Sequence, residues 1–160
     1  MSTSHESDTG RAAATAPAGH AGRIRLVGLI TMIAGVVLAV AGAFTYVMVS
    51  MTLADEKITV SDDAKYLAGD EVDGPFSAYS EAQTIEKHAL EASGGKTYAE
   101  MDREDPNRAT VMNGSFLRAS LFTSVVAFGV AAMAVGIGII FALLGWALMG
   151  VAKSMSLSTV

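Results

Sequence analysis

The sequence predicts an all-α membrane protein: an antiparallel transmembrane helix hairpin carrying a small, mainly helical acidic domain on its connecting loop. Three observations predict it. Two long runs carry no formal charge, Leu26 to Ala54 and Ala119 to Ala152, of 29 and 34 residues. The acids gather between them, with fourteen acidic and seven basic side chains over Asp55–Arg118. That same segment contains recognisable helix start and stop signals. About 20 apolar residues cross a bilayer core as a helix, and lipid is the natural solvent for two such runs because a helix bonds all its own backbone groups.

In chain order, residues 1–25 are rich in Ser, Thr, Ala and Gly and show no apolar period. Such a segment buries too little surface to offset its ordering entropy, so a disordered cytoplasmic tail is expected. The first span, 26–54, follows the Arg23 and Arg25 pair. Ala41-Gly42-Ala43 has the form of a signal-peptidase site, yet the apolar run continues through Tyr46, Val47, Met48, Val49 and Met51. It is about twice the length of a usual signal core, so an uncleaved signal anchor is the expectation. Gly35, Ala39 and Ala43 form a small-residue stripe at four-residue spacing, and Ala134, Gly138 and Ala142 repeat it in the second span, 119–152. Small residues let helix backbones approach closely in lipid, which points to a hairpin contact between the stripes; a homo-oligomer would use the same surfaces.

Within the acidic domain, 55–118, Ile58-Thr59-Val60 reads as a short extended piece and Asp73-Gly74-Pro75 as a turn. Ser80-Glu81-Ala82-Gln83 has capping-box spacing, Gly94-Gly95 is a stop signal, and Ala82, Ile85, Ala89 and Leu90 share a face, giving a helix of about three turns. Thr97-Tyr98-Ala99-Glu100 is a second capping box opening a short helix. Asp105-Pro106 resembles an N-cap followed by proline, from which Val111 and Phe116 lead into the second span through a weak point at Asn113-Gly114. The remainder, 153–160, is a short cytoplasmic tail.

Two spans place both termini on one side. Arg23 and Arg25 precede the first span, Asp55-Glu56-Lys57 follows it and Lys153 flanks the second, so the positive-inside rule puts the termini in the cytoplasm and the loop outside the cell membrane. Tyr46 and Trp146 fall near opposite ends of the spans, where amphipathic rings anchor helices at the interface.

The composition narrows the chemistry. The chain has no cysteine, which excludes disulfides and thiolate chemistry. With a net charge of −5 concentrated in an acidic loop, nucleic acid is not an expected partner. Of three histidines, His5 and His20 lie in the tail; His88, with Glu91 three residues on and Glu81 nearby, supplies too few ligands for a catalytic zinc or iron site. Asp70-Glu71-Val72-Asp73-Gly74 fails the EF-hand register, since Gly69 and Ser80 would occupy ligand positions one and twelve. No catalytic, cofactor-binding or metal-ligating residue is therefore assigned, and no cofactor is expected. The spans hold no ionisable side chain except Tyr46, so they offer no charged pathway.

The stretch from Ile58 to Trp146 resembles a family of small uncharacterised actinobacterial two-span membrane proteins. The resemblance rests on Leu67-Ala68-Gly69-Asp70, Asp73-Gly74-Pro75-Phe76, Gly94-Gly95-Lys96-Thr97-Tyr98-Ala99-Glu100, Asp105-Pro106-Asn107-Arg108 and Ser115-Phe116-Leu117-Arg118. Members of that family often carry the label "aromatic ring-opening dioxygenase", which would imply a non-haem iron held by a two-His-one-carboxylate set. Read from its residues, the chain points instead to a non-enzymatic envelope interaction or accessory protein whose partners are the bilayer and a membrane or envelope protein. An oligomeric small transporter or channel is the alternative, and the dioxygenase comes last.

Overall fold

A computed structural model describes residues 19–157 of the chain. Three α-helices account for most of them: α1 (Gly19–Asp55), α2 (Pro75–Ala92) and α3 (Arg108–Leu157). A 3-10 turn at Tyr98–Glu100 lies between α2 and α3. The α1 and α3 helices, of 37 and 50 residues, are long and apolar enough to cross a membrane by length and composition. Both overrun the expected spans. Gly19–Arg25 already belongs to α1, and Lys153–Leu157 continues α3; the rest of the two predicted tails, 1–18 and 158–160, lies outside the described residues.

The two long helices pack along their length through glycine. Gly28 lies against Gly145 and Leu148, Gly35 against Gly138 and Ala142, and Gly42 against Ala131 and Ala134. Partner numbers fall as α1 numbers rise, so the helices run antiparallel. The glycine contacts recur every seven residues, Gly28, Gly35 and Gly42 facing Gly145, Gly138 and Ala131 in turn. The expected four-residue stripe holds on α3 and in part on α1: Ala134 meets Gly42, Gly138 meets Gly35 and Ala39, and Ala142 meets Gly35, but Ala43 is exposed, and Gly28, Gly42 and Gly145 extend the seam. The reason is geometric. A four-residue step rotates about 40° around a helix, whereas a heptad drifts only about 20° and so stays on the seam of two helices winding left-handedly.

Beyond the glycine seam, the ends of α1 and α3 that meet the loop are built into the loop domain. Leu53, Leu121 and Phe128 share one apolar cluster with Val60, Val72, Ala78 and Ala82, and Val49, Ile58, Ile85 and Phe122 pack around it. The predicted extended piece is real but short. Val60 and Val72 donate backbone bonds to Asp70 and Ile58 at 2.8 Å each, closing a small antiparallel loop that tucks both valines inward.

The α2 helix starts earlier than expected. Gly74 is its N-cap and Pro75 opens it, a position where proline loses no hydrogen bond. Ser77 Oγ accepts the Gly74 N–H at 3.2 Å. Ser80 and Glu81 are therefore helix interior, not a cap: Ser80 Oγ donates to the Tyr66 carbonyl at 2.5 Å. The stop signal works as read, with Gly94 and Gly95 at φ +66° and +86° and the Gly95 N–H bonded to Leu90 O at 2.7 Å. The α2 helix then crosses α3 where Ala89 and Ile85 approach Gly114, so the glycine that looked like a weak point is the crossing point.

The Asp105-Pro106 cap also shifts. Asp105 Oδ1 accepts the Asn107 N–H at 2.8 Å in a local turn, and α3 begins only at Arg108.

Candidate functional site

The paired helices carry no charge along the glycine seam, and among the described residues the side-chain ion pairs lie in the loop domain. Three polar arrangements stand out there. The first joins α2 to the loop that precedes it: Lys87 Nζ donates to Asp63 Oδ2 at 2.7 Å, and His88 Nε2 lies 2.9 Å from the same oxygen. The hydrogen bond from Lys87, then that from His88, holds the Asp63 carboxyl down to about 2, while the Asp63 contact raises Lys87. All three side chains are about half exposed, so the cluster contributes little to stability.

Its pH dependence has a definite sign. A depressed carboxyl stabilises the fold above its ordinary range near 4, and that contribution drains away as pH falls towards about 2. Asp63→Asn is expected to remove this part of the acid sensitivity while leaving the neutral-pH fold in place. Amide NMR of the loop domain across an acid titration measures it, and an unchanged acid slope would show that the cluster does not persist in solution.

The second arrangement is enclosed. Glu81, 6 % exposed, turns its carboxylate toward Ser61, accepting the backbone N–H at 2.7 Å and the hydroxyl at 3.1 Å. The third runs along the α2–α3 seam. Arg118 Nη2 pairs with Glu86 Oε2 at 2.9 Å and its guanidinium lies over the Phe122 ring. Arg108 donates to the carbonyls of Tyr98 and Met101, and its guanidinium lies over the Tyr98 ring. The Thr97 capping box forms as predicted: Glu100 Oε2 accepts both the Thr97 N–H and hydroxyl at 2.8 Å, which lowers the Glu100 carboxyl.

The structure thus gives His88 a different partner from the ones its local sequence offered. Asp63, twenty-five residues away, bonds it, whereas Glu81 points into the core at Ser61. Among the described residues, no three His, Cys, Asp or Glu side chains are grouped so as to hold a metal ion. Comparison with known proteins finds no matching family model, curated protein or solved structure.

Proposed function

We propose that this chain is a non-enzymatic, two-span membrane protein that holds an acidic cap in fixed orientation outside the cell membrane, where the cap engages a membrane or envelope protein. One observation carries the reading: the apolar core of the cap is continuous with the helix pair through Leu53, Leu121 and Phe128. The cap is thereby fastened to its anchor, the arrangement expected of a presenting surface. Resemblance to the actinobacterial two-span group forms part of the same proposal. So does retention of the first helix, since cleavage after Ala43 would strip Gly28, Gly35 and Gly42 from α3.

In vivo cross-linking followed by purification in mild detergent tests the interaction. A specific protein recovered with the wild-type chain, and lost when the exposed Asp102 and Glu104 become asparagine and glutamine, is the expected result. Recovery of the chain alone across growth conditions would count against it. The oligomeric channel reading has less support, because Gly28 against Gly145 and Gly35 against Gly138 leave no lumen inside one pair. Solute flux in reconstituted liposomes above empty controls would favour it instead.

Orientation follows from Arg23, Arg25 and Lys153 at one end of the pair and the acidic cap at the other. The chain has no native cysteine, so single-cysteine variants report cleanly. Ala92→Cys, on the exposed end of α2, is expected to react with an impermeant maleimide in intact cells, and Ser156→Cys is not. Reversed labelling would invert the topology.

A further inference from the structure

We propose that the corner of the cap formed by Leu67, Pro75 and Phe76 is seated in the headgroup layer of the outer leaflet, so that the cap binds a lipid surface directly. The inference rests on the membrane-spanning reading above and adds to it a height for the bilayer.

Two sets of charges bracket the hydrocarbon. Arg25 marks its inner edge. At the other end, Tyr46 lines one shallow recess with Leu67, Asp70, Glu71, Asp73, Pro75 and Phe76, and Ser50 Oγ donates to the Asp73 carbonyl at 2.7 Å, holding that loop against α1. Ionised carboxylates are not accommodated in the hydrocarbon core, so the core must end below Tyr46. The residues between the brackets, Leu26 to Thr45, rise about 30 Å as a helix, which is the thickness of that core. The surplus apolar residues from Tyr46 to Ala54 therefore lie above the hydrocarbon, where Val49 and Leu53 line the cap core. On α3, Phe128 meets the Tyr46 ring at 4.8 Å between centroids and marks the same height.

Phe76 stands at this height and is 80 % exposed, next to the exposed Leu67. A large apolar ring at the level of an interfacial tyrosine leaves water by entering the headgroup–acyl boundary, as apolar side chains of interfacial segments do, while its charged neighbours stay hydrated. The adjoining carboxylates disfavour anionic headgroups, so zwitterionic lipid is the appropriate partner.

The test places a single tryptophan at the corner, Phe76→Trp with Trp146→Phe, in full-length protein reconstituted into phosphatidylcholine vesicles. Quenching by lipids brominated near the headgroup is compared with quenching by lipids brominated near the chain ends. About two-fold stronger quenching by the shallow label is expected, and Leu67→Trp in the same background should behave alike. The unmodified chain, with Trp146 alone, reports whether the helices are in the bilayer. If Trp146 is quenched by lipid but both corner tryptophans respond only to aqueous iodide, the corner stands in water and the inference fails while the spans survive. Corner tryptophans shielded from lipid and iodide alike would mean that a second copy or another protein covers the site, which also overturns it. No lipid quenching of Trp146 would overturn the spanning reading itself.

Discussion

Gly138→Leu is expected to destabilise the helix pair by about 3 kcal/mol, at the upper end of the usual range for overpacking a tight site. Even a Cβ at this position would lie 2.5 Å from Ala39 N and 2.6 Å from Gly35 O, and backbone has no rotamer by which to yield. Inside lipid the added side chain brings no compensating hydrophobic gain, because the tails are as apolar as leucine. Splaying the pair also pulls apart Leu53 and Leu121, which belong to the cap core, so the loop should become protease-sensitive. Two controls isolate the contact. Gly136→Ala has nothing within 4 Å of its new Cβ and should be neutral or slightly stabilising. Ile140→Leu, at a position 55 % exposed, should change almost nothing. Unfolding in mild detergent separates the three, and equal tolerance would mean that the glycine seam is not the packed interface.

Glu81→Leu should cost the cap about 3 kcal/mol by leaving the Ser61 N–H and hydroxyl without their enclosed acceptor. Glu81→Gln keeps the shape and one acceptor oxygen and should lose about half as much. Glu91→Gln, exposed on the same helix, serves as the control and should be nearly silent. Hydrogen exchange at Ser61 and Ala64 reads the effect directly, since the Ala64 N–H bonds to Ser61 O at 2.9 Å in the turn that Glu81 clasps. Unchanged protection in Glu81→Leu would refute the clasp.

These two sites also show what kind of information lay in the sequence. Apart from the meeting of Gly35 and Ala39 with Gly138, the predicted features that the structure shows are written in continuous segments of sequence. Charge-free length marks both long helices, Thr97 and Glu100 reach each other across three positions, and Gly94 and Gly95 adopt the positive φ that ends α2. Solvent preference, local hydrogen bonding and backbone freedom act within such segments, and residue order alone records them.

What the tertiary structure decided is the pairing of distant groups. Ser80-Glu81-Ala82-Gln83 has the spacing of a cap, yet α2 already starts at Pro75 because its first turns pack Ala78 and Ala82 into the core beside Val60 and Val72. Glu81 then meets Ser61 instead of a local N–H, and His88 meets Asp63 instead of Glu91. In the helix pair, many small residues compete for the seam; Gly28, Gly35 and Gly42 take it at heptad spacing, while Ala43 is left exposed. Each choice depends on which surface arrives opposite, and that is set by burying apolar area across the whole chain.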